Sequence, residues 1–459
     1  MYVTRLGISG IRGFTPAREV RQLELPQAGW TVLAGRNGSG KTTLLRALAL
    51  ALGGPAVARS LVSDFSGWIT AGESTGWVQA FVRPDWTVDR LAGSGKAPKY
   101  DLRLGLEWRL PAPGTAPGGY GLPGFAPFGP GPRPELTAFG STNPERGPWA
   151  ENPRGWFFAG YGPFRRLLGG FGESQRLMLS AGPVGRLATL FHEEASLAEG
   201  VSWLVDQHVR RLEGRPGAQE ALDVVAALLS DGLLPDGFAV SRVDSDGLWV
   251  RRAGRGAEDQ QVGGPDFPLR EMSDGYRTVA ALVLDLVRQF QSAYGSLPLD
   301  GSGAITLPGV VLIDEVDAHL HVSWQQRIGP WLKAHFPRVQ FIVSTHSPYI
   351  CQAADPGGLI RIAGADEDFP PQPVGEELHR RIVYGSGDDA VLSELFGLES
   401  PYSEQAEDAR RRLGDIEGRV LAGDSSDEEL AEYQELSEKL MSSLSARVDE
   451  VSARLGRRG

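Results

Sequence analysis

One octapeptide constrains this chain more than any other feature: Gly35-Arg36-Asn37-Gly38-Ser39-Gly40-Lys41-Thr42. It follows an apolar run, Trp30-Thr31-Val32-Leu33-Ala34, and precedes a leucine- and alanine-rich stretch at 42–52. Gly-x-x-x-x-Gly-Lys-Ser/Thr between a strand and a helix is the pattern of a phosphate-binding loop. In such a loop successive backbone N–H groups converge on an anion, and the helix N-terminus adds partial positive charge. Glycines let the backbone approach phosphate oxygens without a Cβ in the way. Asn37, Gly38, Ser39, Gly40 and Thr43 are read as loop contacts. Lys41 is read as the cation on the β- and γ-phosphates, and Thr42 as a ligand of Mg²⁺. The expected ligands are ATP and Mg²⁺.

Composition narrows the rest. The chain has 459 residues, which favours two or three packed units over one small core. Hydrophobic residues at 41% and charged residues at 22% are ordinary for a globular protein. A formal net charge of -11 argues against non-specific coating with nucleic acid. DNA stays open as a ligand only through a local basic patch. Arg165, Arg166, Arg251, Arg252 and Arg255 are the candidates, and arginines paired with carboxylates are the equal rival. Cys351 is the single cysteine, so no internal disulfide or thiolate metal site can form. That fits a cytoplasmic protein. The N-terminus lacks a signal-peptide core, and the best membrane candidate, 279–287, is short and contains Asp285, so no membrane partner is expected.

Periodicity predicts short strands at 6–13, 21–25 and 30–34, and a strand or hairpin at 76–88. Glycine and proline dominate 92–147, which reads as a long irregular loop. A buried strand is expected at 156–162, helices at 187–211 and 219–229, and a hairpin around Asp244-Ser245-Asp246-Gly247. A helix at 273–291 precedes apolar runs at 309–313 and 339–343, which suit a parallel sheet covered on both faces. Charged helices at 404–421 and 427–455 form a helical hairpin, with Tyr433, Leu436, Leu440, Leu444 and Val448 among its apolar positions. That seam packs on the body or makes a dimer contact. The expected divisions are 1–91 (first part of the nucleotide-binding head), 92–150 (Gly/Pro insertion), 151–265 (remaining strands and a helical insertion), 266–365 (second part of the head) and 366–459 (C-terminal helical region).

Further motifs sit at the ends of these elements. The run Val310-Val311-Leu312-Ile313 ends in Asp314-Glu315, at the sheet edge where open α/β folds bind ligands. Asp314 is read as holding Mg²⁺ and Glu315 as the general base that polarises water. His346 follows the next apolar strand, within reach of a γ-phosphate. Ser273 and Gly275 open a helix, where an anion can bind. Taken alone, each has a plainer reading: strand ends meeting solvent, and an N-cap.

The order of these motifs resembles the ABC ATPase superfamily. That resemblance implies an α/β head with a mixed or parallel sheet, a helical insertion, and a head-to-tail homodimer or higher oligomer. There Ser273 and Gly275 would grip the γ-phosphate of ATP held by the other copy, and Asp317 would form the aspartate loop at the interface. Half of the chain lies between Lys41 and Ser273, and the phosphate loop contains Asn37, as on the SMC, RecF and OLD side. The block Asp314 to His321, the run Phe336 to Pro348, and Tyr161-Gly162-Pro163-Phe164-Arg165 resemble bacterial anti-phage defence ATPases, such as PtuA of Septu and those of retrons. The implied role is a sensor or regulatory subunit controlling a separately encoded effector, a nuclease or toxin. A RecF-like repair ATPase and an ATP-gated scaffold with little turnover are the alternatives. The chain departs from the pattern at Val322 and in its Ser-Asp-Gly-Tyr signature. Gln175 or Arg165 is the candidate for the loop that completes the Mg²⁺ shell. The C-terminal helices lack clustered acidic residues, so no nuclease is expected within the chain. His319 and His321 diverge if a helix follows the Asp-Glu strand, which argues against a metal there.

Overall fold

In the computed structural model the described residues are 1–91, 100–112, 133–140, 144–150, 155–167, 169–170, 172–234, 237–252, 264–364, 366–398 and 400–440. The apolar runs become the middle of a six-stranded sheet. Its order is Gln372–Pro373, Leu359–Arg361, Gly29–Ala34, Val339–Thr345, Gly309–Ile313 and Phe158–Tyr161. All neighbours pair in parallel except Gln372–Pro373. Every residue of Gly309–Ile313 and Val339–Thr345 is buried, which explains why the first is wholly apolar and the second largely so, with Gln340 satisfied by Val3 and Pro26. The register pairs Ala34 with Thr345, and Ile313 with both Val343 and Tyr161. The loops carrying Gly35, Asp314, His346 and Gly162 therefore leave the sheet along one edge.

A five-stranded antiparallel sheet faces the other side of the phosphate-loop helix. Its order is Val20–Glu24, Tyr2–Ser9, Thr75–Arg83, Leu102–Arg109 and Glu135–Gly140. The helix Lys41–Leu61 packs on both sheets, which is why the leucines and alanines of 44–52 are all buried. It is long and apolar enough to cross a membrane by length and composition, contrary to the sequence expectation; 67% of that window is buried in this core. It kinks at Gly54, where φ is 80° and Pro55 follows. The Trp149 ring lies 2.6 Å from where a Cβ on Gly54 would stand.

The Gly/Pro-rich stretch needs a correction. Within it Leu102–Arg109 and Glu135–Gly140 are sheet strands. Leu102, Leu104, Leu106 and Trp108 alternate inward, a period-two signal that the surrounding glycines and prolines mask. Residues 92–99 and 113–132 lie outside the described ones. The helix expected at 187–211 is two, Pro183–Phe191 and Glu199–Leu212. Tertiary bonds break it: Leu197 N donates to Arg166 O at 2.8 Å, and Ser196 Oγ donates to Gly169 O. Ala218–Ser230 and Asp274–Tyr294 complete the helical lobe, and Phe238–Asp244 and Gly247–Arg252 form the expected hairpin, with Phe267–Pro268 as a third strand.

The chain forms two compact units, 1–390 and 391–459. In the second, Glu404–Ala422 is capped by Ser403 and followed by a helix at 427–440. Ion pairs Arg412–Glu432 and Arg419–Glu429, at 2.8 and 2.9 Å, join the two helices into a hairpin. The expected seam positions Leu444 and Val448 fall outside the described residues.

Candidate nucleotide site

The phosphate loop turns on residues that only glycine tolerates well. Gly38 and Gly40 have φ of 75° and 100°. The Phe14 ring lies 3.0 Å from where a Cβ on Gly40 would stand. Buried Arg18 donates to Ser39 O at 3.2 Å and to Ala363 O, tying the loop to the strand end beside it. Lys41 is 6% exposed and curls over its own loop. Its Nζ donates to Gly35 O at 2.7 Å and to Arg36 O at 3.0 Å. Burial lowers its pKa to about 8, against the opposing pull of Asp314, Glu315 and Asp317.

Asp314 leaves the edge of the sheet with its N–H donating to Tyr161 O at 2.8 Å. Its Oδ1 accepts from Thr42 Oγ1 at 3.1 Å and from Ser344 Oγ. Glu315 N donates to the same Ser344 Oγ at 2.8 Å. One buried serine hydroxyl thus fixes both the carboxylate and the backbone of the residue after it. Glu315 has a φ of 44°, a left-handed conformation uncommon outside glycine and asparagine. Burial raises its carboxyl pKa, and Asp314 and Asp317 add to the rise.

Asp317 reaches across to the neighbouring strand. Its Oδ1 accepts from Thr345 Oγ1 and from His346 N at 3.4 Å. Partial desolvation, and after it Lys41, lowers the His346 pKa, which favours a neutral imidazole at pH 7. Ser273 is the N-cap of Asp274–Tyr294, exposed and without a side-chain capping bond. A Cβ on Gly275 would stand 2.9 Å from His319 O, so this helix opening packs against the loop after Glu315. Among the described residues no hydrogen bond joins Ser273 or Gly275 to the phosphate loop.

Lys41, Thr42, Asp314, Glu315, Asp317 and His346 therefore gather at one edge of the sheet. Thr42 and Asp314 offer two hard oxygen donors 3.1 Å apart, a set that fits Mg²⁺, which takes one or two protein oxygens beside phosphate oxygens and waters. Arg165 is 2% exposed and so is withdrawn as a DNA contact. It donates instead to the carbonyls of Gly162, Asp314, Glu315, Val316 and Ala318, over 2.8 to 3.4 Å. Gln175 lies in the helical lobe, bonded to Ser196 and Glu199. Arg251 pairs with Asp266 at 2.7 Å, Arg166 stacks on Phe164, and Arg255 lies outside the described residues. His321 caps the helix Val322–His335 through Ser323 N, and among the described residues no group of three His, Cys, Asp or Glu could hold a metal. Sequence reasoning gave no role to Ser344 or Arg18. Their only signal is position: a serine near the end of the strand after the carboxylate pair, and a basic residue just ahead of the strand Val20–Glu24.

This fold and site define a P-loop nucleotide-binding head. Two family models match: "AAA domain" over residues 5–87, and "AAA domain, putative AbiEii toxin, Type IV TA system" over 243–352. A stretch of 87 residues is 45% identical to the "Retron Ec83 probable ATPase" of Escherichia coli, covering 18% of this chain and 15% of that protein. Another of 80 residues is 40% identical to the "Septu protein PtuA" of Bacillus mycoides, covering 17% and 10%. The chain thus spans only a small part of the length of these relatives. An SMC head solved with the C-winged helix domain of ScpA overlaps 82% of this chain and 98% of its own, at 15% identity and a TM-score of 0.44. Over these stretches the chain is similar to ATPases named for retron and Septu systems.

Proposed function

We propose that this protein binds ATP with Mg²⁺ between two head-to-tail copies and hydrolyses it, and that its nucleotide state controls a separately encoded effector, such as a nuclease, in cytoplasmic anti-phage defence. The observation that carries the catalytic part is the join between Thr42, Asp314, Ser344 and Glu315. It couples the phosphate loop to the carboxylate pair through protein groups alone, which preorganises them for the reaction.

The residues divide the work. Backbone N–H groups of the loop and the start of Lys41–Leu61 cradle the phosphates, and Lys41 exchanges its carbonyl partners for phosphate oxygens. Thr42 and Asp314 would hold Mg²⁺, which supplies charge neutralisation on the phosphate oxygens. Glu315, its pKa raised, takes a proton from the attacking water. Neutral His346, held through Asp317, donates toward the γ-phosphate. Ser273 and Gly275 of the second copy would close the site from above, and an exposed Ser273 that makes no side-chain capping bond suits that task. The defence role rests on the retron and Septu relatives.

A pull-down of tagged Glu315→Gln protein from its host tests the regulatory part. Stoichiometric recovery of a nuclease or toxin supports it. Recovery of DNA with repair factors, and no such partner, moves the reading to a RecF-like enzyme.

A further inference from the structure

Arg165 buries a full guanidinium directly behind the carboxylate loop, and ATP binding does not explain it. It leaves the edge strand Phe158–Tyr161 by a short turn, and its side chain runs under residues 314–318. Its Nη1 donates to Gly162 O at 2.8 Å and to Asp314 O at 3.1 Å. Its Nη2 donates to Glu315 O at 3.3 Å, Val316 O at 3.1 Å and Ala318 O at 3.4 Å. Among the described residues it forms no direct ion pair with a carboxylate. Three of its acceptors, Glu315, Val316 and Ala318, belong to a loop held between two left-handed residues, Glu315 at φ 44° and His319 at φ 65°. Non-glycine residues keep such backbone only where the surroundings over-determine it. The loop's own bonds are few: Val316 N to Ser344 O, Ala318 N to Glu315 O and Leu320 N to Asp317 O. A planar guanidinium offers five donors on a fixed fork, which suits five carbonyls spread along a turn; an ammonium has only three.

We infer that Arg165 is a positioning residue for ATP hydrolysis: its guanidinium fork holds the 314–318 backbone in the turn that aims Glu315 at the attacking water and Asp317 at Thr345 and His346. This deepens the reading of the site as an ATPase and rests on it. Arg165 is buried and donates to the backbone carbonyls of 162 and 314–318, so its loss acts through Glu315.

The test compares Arg165→Lys and Arg165→Met with the wild-type full chain. Nucleotide affinity is measured with labelled ATP, turnover under saturating Mg²⁺-ATP, and backbone hydrogen exchange across the chain. In both variants ATP affinity should stay within about threefold while kcat falls by about tenfold or more, the pattern of a lost transition-state arrangement. Exchange should quicken at the amides of Val316, Ala318 and Leu320 and hold elsewhere in residues 1–390. Wild-type kcat in either variant overturns the inference, and full rescue by lysine shows that charge alone suffices. Faster exchange throughout the unit, with affinity lost in step, reduces Arg165 to a stability role and also overturns it. If the wild-type protein itself does not turn over ATP, the ATPase reading fails, and unchanged exchange at 316–320 would separately remove Arg165 from control of the loop.

Discussion

At the scale of residues, the site is a set of opposed charges tuned by burial. Glu315 gains basicity from desolvation and from two neighbouring carboxylates, which is the direction a general base needs. Glu315→Gln should leave ATP affinity near wild type and cut hydrolysis by about a hundredfold or more. Steady-state phosphate release checks this, and unchanged hydrolysis would remove Glu315 from the role of base. Lys41 shifts the other way. With a pKa of about 8, its charged form, which phosphate prefers, is nearly full at pH 7, falls to about half at pH 8 and is lost above it. ATP affinity should therefore fall by about twofold from pH 7 to 8 and then more steeply, by at most about tenfold per pH unit. Equilibrium titration up to pH 9.5 reads this directly; a flat profile would mean that Lys41 stays charged throughout.

At the scale of elements, the phosphate-loop helix shows how local chemistry and packing share control. Its N-terminus is fixed by a loop legible from sequence alone, since Gly-rich spacing before Lys-Thr has few other uses. Its far end was not legible. The kink depends on Gly54 at φ 80°, ψ -179°, a region essentially reserved for glycine, and on the Trp149 ring against it. Gly54→Ala should cost about 1–3 kcal/mol for the backbone alone. Denaturant unfolding would show this as a lower midpoint with little change in slope, and a neutral result would show that the kink can relax. The same contrast holds elsewhere. Gly309–Ile313 was found to the residue because both of its faces are buried, while Leu102–Arg109 was hidden among turn-forming residues. The break between Pro183–Phe191 and Glu199–Leu212 comes from bonds to residues 166 and 169, distant in sequence and so invisible to periodicity. Asp314, Glu315 and His346 stand out in the sequence because each follows an apolar strand. Ser344 was not, since its use depends on the strand register that sets it beside Asp314.

At the scale of the whole molecule, the proposal requires each ATP to be shared between copies. In a two-fold arrangement residue i of one copy meets residue j of the other, and the reverse holds at the second site. Lys41 and Ser273 would then serve the same nucleotide only from different copies. Lys41→Ala and Ser273→Arg should each abolish hydrolysis alone, the first by removing the phosphate cation and the second by filling the space above the γ-phosphate. Mixed in equal amounts, they form heterodimers in which one site combines an intact Lys41 with an intact Ser273 and the other has neither. Random pairing puts half of the chains in such dimers, so the mixture should recover about a quarter of wild-type turnover if the sites work independently. A single copy working alone predicts no recovery, because each variant chain then carries its own defect in its only site. Phosphate release from the mixture, measured against each variant alone and over a range of total protein, separates the two arrangements: recovery that grows with protein concentration can come only from a site built by two chains.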